Sequence, residues 1–244
     1  PVVPNMNTMF ASSGNPMAPG ASGVRIAADI GGTFTDLQIL EEATGVNHVH
    51  KTPTTPHDPS EGLLTGLREA SDLFGFRFDQ VSILIHGTTI ATNAVLERKF
   101  PVGALVTTSG FEDVLEIGRH LRRDVYANKA EARTLLIPRY HRHGVTERIK
   151  ADGSIETALD DDEVRKLASL LAQMKVQSVA VVLLHAYANP VHERRILEIL
   201  DRSLPGIPVS ISSDISPEFR EFERTSTTVL NALLMPVVGT YLQR

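Results

Sequence analysis

The feature that most limits the fold is a pair of adjacent glycines, Gly31-Gly32, set between two β-rich runs. Val24-Arg-Ile-Ala-Ala-Asp-Ile30 stops at the pair, and Phe34, Leu37, Ile39 and Leu40 resume just beyond it. A strand that enters a glycine turn and continues at once as strand has to fold back on itself. A third run, Val46 to Lys51, is closed by Pro53, so the region predicts three antiparallel strands. Asp58 or Ser60 then caps a helix in which Leu63, Leu64, Leu67, Ala70, Leu73 and Phe74 recur at helical spacing, suited to covering one sheet face.

Strand and helix alternate from there on, which favours parallel strands in an α/β layer structure. Val81 to His86 reads as a strand, followed by Gly87-Thr88-Thr89 and a helix through Ile90, Ala94, Val95 and Leu96. Val102 to Val106 is the next strand, and Phe111, Val114 and Leu115 begin a short helix. Arg119 to Arg148 loses any period and reads as a loop or extended segment; Asp152-Gly153 turns a hairpin after it. Asp160 caps a helix through Val164, Leu167, Leu170, Leu171 and Met174, and Val179 to Leu184 is a strand. A helix with Ile196, Leu197, Ile199 and Leu200, the strand Val209 to Ile211, and a long amphipathic helix from Glu218 to Arg244, kinked near Pro236, complete the pattern. The expected division is a disordered leader at 1–23, a first subdomain at 24–118 and a second α/β subdomain at 119–244. The last helix has no stop signal, so the natural chain is expected to continue beyond Arg244.

Charge and composition exclude several functions. The chain has 244 residues, with 24 Lys+Arg against 29 Asp+Glu and a net charge of −5, so it has no strong positive field and nucleic acid is a poor partner. Zero cysteines exclude a disulfide framework, a thiolate nucleophile and sulfur-ligated metal. The apolar run Val179 to Leu184 ends at His185, far short of the ~20 residues of a membrane helix, so no membrane is implicated. Residues 1–23 are uncharged, with apolar side chains scattered among Asn, Ser and Pro, unlike a signal peptide. The expectation is a cytoplasmic protein.

Chemistry concentrates in Asp29-Ile-Gly-Gly-Thr-Phe-Thr-Asp36. Gly31 and Gly32 let backbone N–H groups approach a phosphate, because no Cβ intervenes and left-handed dihedrals are open to them. Thr33 and Thr35 add hydroxyls, and Asp29 and Asp36 suit a hydrated Mg2+ bridged to phosphate. The alternative is a plain Gly-Gly hairpin. Neither a Walker loop nor a dinucleotide glycine fingerprint occurs. In the second cluster, Gly87 frees a turn after a buried strand, Thr88 and Thr89 begin a helix whose N–H groups attract anions, and His86 and Asn93 offer directional hydrogen bonds; a Thr-rich cap beside a core histidine is the alternative. Arg119, Arg122 and Arg123 have the chemistry to clamp a carboxylate or phosphate, or to lie on a solvated surface. His48 and His50, like His141 and His143, have metal-like spacing without convergent partners. His185 reads as structural, satisfied by a backbone group, and Glu221, Glu223 and Arg224 as helix i,i+3 or i,i+4 pairs.

The Asp-x-Gly-Gly-Thr hairpin resembles the first phosphate motif of the actin-like ATPase superfamily, and its Phe34-Thr35-Asp36 form resembles the N-terminal domain of the hydantoinase A/5-oxoprolinase family. His86-Gly-Thr-Thr-Ile-Ala-Thr-Asn-Ala-Val-Leu-Glu-Arg-Lys99 and Val106-Thr-Thr-Ser-Gly-Phe-Glu-Asp-Val-Leu-Glu-Ile-Gly-Arg119 are similar to that family's further signatures. Glu147-Arg148, His185 to Pro190 with His192-Glu193, and Ser216-Pro217 with Arg220-Glu221 and Glu223 to Thr227 extend the likeness from Val24 to Arg244. Arg123 stands where the family usually carries proline. The resemblance implies a ribonuclease-H-like (actin-like ATPase) mixed sheet with flanking helices, plus a second βα subdomain. It implies an ATP- and Mg2+-dependent hydrolase that phosphorylates a cyclic amide before opening it, with Gly31, Gly32, Thr33 and Thr35 on phosphate and Asp29 and Asp36 at the metal. Asp29, Asp36 and His86 are then the catalytic set, and Gly87, Thr88, Thr89, Asn93 and Arg119 lie on the substrate side. The implied partners are the rest of a hydantoinase A chain and a hydantoinase B-type subunit, in an oligomer. No second Gly-Gly-Thr occurs in the sequence, so negligible ATPase activity is expected of this chain alone. The alternatives are an acetone/acetophenone-type carboxylase subunit, a sugar kinase, and a non-catalytic docking scaffold.

Overall fold

In the computed structural model, residues 23–55, 58–119, 126 and 134–242 are described. The expected leader at 1–22 and the arginines Arg122 and Arg123 lie outside them; Gly23 is buried, and its carbonyl accepts a hydrogen bond from Glu42 N (2.9 Å). Two compact units meet between Thr89 and Ile90 rather than at residue 118.

In the first unit, β1 (Val24–Ile30) and β2 (Phe34–Glu41) pair antiparallel, and β3 (Asn47–Pro53) pairs antiparallel with β2. Alternation decides the faces. Val24, Ile26, Ala28, Leu37 and Ile39 are buried under α1 (Pro59–Phe74), while Asp29, Asp36 and Gln38 take the other side. Asp58, the N-cap of α1, accepts from Ser60 N at 3.1 Å, and Gly75 closes the helix at φ +75°. Of the apolar positions expected on this helix, Leu67 and Ala70 face the sheet, whereas Leu64 and Leu73 are exposed. A Cβ on Gly66 would come within 2.6 Å of Thr52 Cγ2, so the helix approaches β3 closely because no side chain intervenes. The fourth strand, β4 (Val81–Thr88), lies parallel to β1, giving the order β3-β2-β1-β4.

The second unit runs α2 (Ile90–Glu97), β5 (Gly103–Thr108), α3 (Val114–Ile117), β6 (Arg142–Val145), the hairpin β7 (Arg148–Ile149) and β8 (Ile155–Thr157), and α4 (Asp161–Gln173). It continues with β9 (Ser178–Val182), α5 (Val191–Ser203), β10 (Val209–Ile211), α6 (Ser212–Ile215) and α7 (Glu221–Leu242), a helix that passes through Pro236. Its sheet is parallel in the order β10-β9-β5-β6. β5 therefore belongs with the later strands and not with the first subdomain to which its sequence position assigned it. Every residue of β5 and β9 is buried, as expected of parallel strands covered on both faces. Ala104, Val106, Val179 and Val181 meet Leu171, Ile196 and Leu200 of α4 and α5. Leu105, Ala180 and Val182 meet Val229 and Leu233 of α7 on the opposite face. Among the described residues no helix is long and apolar enough to cross a membrane.

β6 is the strand that the sequence pattern conceals. Arg142, 2% exposed, donates from Nε to Ile137 O (3.0 Å) and from Nη1 to Asp113 and Glu116 (3.3 and 3.2 Å), so a polar residue occupies a core position. His143 has a buried Nε2 without a hydrogen-bond partner. Burial, then the charges of His141 and Arg139, hold its pKa below 6.5. An unfolded chain therefore binds the proton first as pH falls through 6.5, and stability must decline from there towards the folded-state value. His143→Gln should flatten this dependence, read as a smaller difference between the urea midpoints at about pH 5.5 and about pH 7.5. An unchanged difference would assign the acid sensitivity elsewhere.

Candidate functional site

The turn after β1 is short because Gly31 N donates to Phe34 O at 3.0 Å, and a Cβ on Gly31 would sit 3.0 Å from that same oxygen. Neither Gly31 nor Gly32 is among the glycines with positive φ, so the glycine requirement here comes from close approach and not from the expected left-handed dihedrals. The Gly31 N–H is consumed inside the turn. Gly32 and Thr33, both exposed, present the next two N–H groups at the tip.

Register places Asp29 directly opposite Asp36 on the face away from α1. Asp29 is exposed; Asp36 is half-buried, with Lys51 Nζ 3.1 Å from its Oδ1 and over the Phe34 ring at 5.1 Å. Thr35 faces the other way. It is fully buried, with its hydroxyl 2.9 Å from that of Thr54, because pleating turns it to the side opposite Asp36. This contact ties β2 to the segment that follows β3.

The end of β4 lies beside this turn, with Gly87 level with Asp29 and Thr88 level with Ile30. Thr88 is the last residue of the strand and donates to Ile30 O at 3.2 Å; Thr89 N donates to the same carbonyl at 3.3 Å. The helix therefore begins at Ile90 and not at the threonines. His86 is level with Ala28, on the α1 side of the sheet, so it stands on the face opposite the two aspartates. Asn93 and Arg119 belong to the second unit, on α2 and just after α3.

Among the described residues no group of three or more His, Asp or Glu is placed to hold a metal ion. Each histidine of the first pair has a carboxylate partner: His48 Nε2 lies 2.9 Å from Glu41, and His50 Nε2 lies 2.8 Å from Glu69. His141 Nδ1 contacts Gly103 O at 3.0 Å. The Asp29–Asp36 pair fits a different kind of site, one in which a hydrated Mg2+ takes one or two carboxylates and completes its shell with water and phosphate oxygen.

The second unit contains buried polar residues, of which the sequence reading missed Glu193 and Glu147 and misread Arg224 and His185. Glu193, fully buried on α5, accepts from Leu183 N (2.9 Å), Ser212 Oγ (2.6 Å) and Ser213 N (2.8 Å). Burial pushes its carboxyl pKa up, and these hydrogen bonds oppose the rise. Arg224, 1% exposed, donates to Leu183 O and Ser212 Oγ, both at 2.8 Å, and is no surface i,i+4 partner. Burial lowers its pKa. Glu147 accepts from Thr108 Oγ1 and lies 2.8 Å from His192 Nδ1. His185 is half-buried at φ +55°, and its Nδ1 meets the Tyr187 hydroxyl at 3.1 Å instead of a backbone group. A signal was present in the sequence: Glu193 shares a helix stripe with Ile196 and Leu200, and Arg224 one with Thr228 and Ala232, where a charge requires a buried partner.

Against known proteins, residues 25–204 match the model of the hydantoinase/oxoprolinase N-terminal region. An uncharacterized protein of Methanocaldococcus jannaschii is 42% identical over 224 residues, covering 91% of this chain and 32% of that one. Caprolactamase subunit alpha of Pseudomonas jessenii is 35% identical over 226 residues, 90% of this chain and 32% of that protein. The crystal structure of this ATP-dependent caprolactamase superposes with a TM-score of 0.81 at 34% identity, over 90% of this chain and 33% of that one. The nucleotide-free structure of acetone carboxylase, from work on ATP-dependent acetone carboxylation, gives 0.79 at 27% identity, over 91% and 33%. This chain thus spans about a third of the length of the relatives it matches. The mixed sheet with flanking helices is the actin-like ATPase architecture that the hairpin motif implied. With the family signature covering most of its length and the same fold in two solved relatives, the chain belongs to the hydantoinase/oxoprolinase N-terminal region family.

Proposed function

We propose that this chain is the phosphate-gripping portion of an ATP-dependent cyclic-amide hydrolase. One observation carries the reading: Asp29 and Asp36 oppose each other across the β1–β2 ladder, next to the exposed Gly32-Thr33 tip and the end of the parallel strand β4. Ligands of α/β sheets collect at the carboxyl ends of parallel strands, and paired carboxylates beside free N–H groups suit a metal-bound phosphate. Gly32 and Thr33 bind phosphate oxygens through N–H and hydroxyl donors, Asp29 and Asp36 hold Mg2+, and Lys51 fixes the Asp36 carboxylate. Bound there, Mg2+ neutralises phosphate charge. Gly87, level with Asp29, keeps that side of the site open: a Cβ on it would meet nothing within 4 Å.

An unactivated amide is a poor electrophile. Transfer of the γ-phosphoryl group to the amide oxygen, with ADP leaving, turns that oxygen into part of a leaving group. Water then adds to the carbon, the ring C–N bond breaks with a proton going to nitrogen to leave an acyl phosphate, and a second water attacks the acyl carbon, so that phosphate departs with the original amide oxygen and a carboxylate remains. Positioning and charge neutralisation carry most of such catalysis. His86, Gly87, Thr88, Thr89, Asn93 and Arg119 are assigned to the substrate side of this reaction. The remaining length of the relatives points to a longer polypeptide, and the subunit name of caprolactamase supports a companion subunit, which this reading takes to be of the hydantoinase B type.

The test uses the complete enzyme with its partner. ADP release stimulated by hydantoin, 5-oxoproline or caprolactam, with 18O moving from the amide carbonyl into phosphate, is the expected result. ADP release that requires bicarbonate and a ketone, with none from any cyclic amide, would replace this reading by the carboxylase chemistry of the acetone carboxylase relative.

A further inference from the structure

The parallel sheet of the second unit changes direction once. From β5 the chain moves to β6 on one side and later returns to lay β9 on the other. The crevice outside the carboxyl ends of two such strands is where open α/β sheets receive ligands. An open cleft of about 560 Å³ occupies this place, lined by residues that follow β5, from Phe111 to Arg119, and by Leu184 and His185, which follow β9. Its size suits a small molecule.

The floor of the cleft is fixed by buried side chains from three elements. Glu193 takes Leu183 N, Arg224 holds Leu183 O, and Thr108 Oγ1 accepts from Leu184 N at 3.0 Å. The next residue, His185, adopts φ +55°. A left-handed non-glycine residue persists where its surroundings over-determine it, and such residues cluster at functional sites.

The walls carry cations. Arg148 lies over the Phe111 ring (5.3 Å) and Arg220 over Phe219 (5.7 Å); among the described residues neither has a carboxylate within ion-pair distance. Arg119 is paired with Glu223. Three guanidinium groups against Glu221 and Glu223 leave one net positive charge in the cleft. This balance matches a monoanion and not a triphosphate, and a guanidinium fork matches a carboxylate in both geometry and charge.

We propose that this cleft binds a small organic monocarboxylate, with the carboxylate on Arg148 and Arg220 and the apolar body against Phe111 and Phe222. The site goes beyond the phosphate hairpin and does not depend on it. Ligand-observed NMR titration of the chain with cyclopentanecarboxylate should show saturable binding at millimolar concentration or below, with cyclopentylmethanol silent. Arg148→Gln and Arg220→Gln should each weaken it by about tenfold or more, the loss expected for one charge-assisted contact. Arg148→Lys and Arg220→Lys should restore only part of it, and Asp29→Asn should leave it unchanged. The proposal is overturned if the carboxylate shows no saturable binding, if the alcohol binds equally well, if inorganic phosphate binds more tightly than the carboxylate, or if folded Gln variants bind like the parent.

Discussion

Replacing Asp29 by Asn in the complete enzyme should lower ATP-dependent turnover by about 10²- to 10³-fold, the scale of losing one preorganised electrostatic contact, while leaving the fold intact. The structural half of this expectation follows from position. Asp29 is exposed at the end of β1, where substitutions away from special features usually shift stability by no more than about 0.5 kcal/mol. Two like charges directly opposed on an antiparallel pair are destabilising, by roughly 0.2–1 kcal/mol, and Lys51 offsets only part of this from the Asp36 side. Removing one carboxylate should therefore hold or slightly raise the thermal midpoint as activity collapses. Opposite signs in stability and activity are what a site carrying electrostatic strain for function produces. If D29N unfolds at a lower temperature and keeps its turnover, the pair is a structural feature of the hairpin, and the phosphate assignment fails with it. Chelation gives a second readout: EDTA should remove nucleotide affinity from the parent and have little left to remove from the variant.

The largest stability effect is expected at Arg224. Arg224→Ala should cost about 3–5 kcal/mol in urea unfolding, the usual consequence of removing one member of a buried polar set and leaving its counter-charge in place. The residue left behind is Glu193, whose carboxyl is already pushed up by burial. The sign with pH follows from that direction. Between the ordinary value of 4.5 and the higher folded value the native state holds the proton more tightly, so stability decreases as pH rises through that window. Loss of the nearby guanidinium extends the window upward, and Arg224→Ala should be most destabilised at neutral pH. The double variant Glu193→Gln/Arg224→Met should lose less than the sum of the single losses, because both charges leave together. A loss below about 1 kcal/mol in R224A would mean that water replaces the guanidinium, and the rigid cleft floor would lose its support.

The elements with strong periodicity were legible in the sequence. The glycine-paired hairpin, the helix capped at Asp58 and the helix capped at Asp160 follow from local spacing and capping chemistry. β6 was not legible, since Arg142, His143 and Gly144 resemble a loop until Asp113, Glu116 and Ile137 O are brought round them. The candidate phosphate residues were named as one cluster, and the sequence did not sort them by face. Asp29 and Asp36 share one side of the sheet, while Thr35 and His86 take the other.

What the sequence alone determined is therefore the family and the strands and helices with strong local patterns, because side-chain period and turn composition act over a few residues. Tertiary structure alone decided which aspartates face each other, why β5 joins the later strands, and how Thr108, Glu193 and Arg224 meet at Leu183 and Leu184. Those outcomes depend on register between segments far apart in the chain, 76 residues for Thr108 and Leu184. Neither partner's local sequence records where the other will lie.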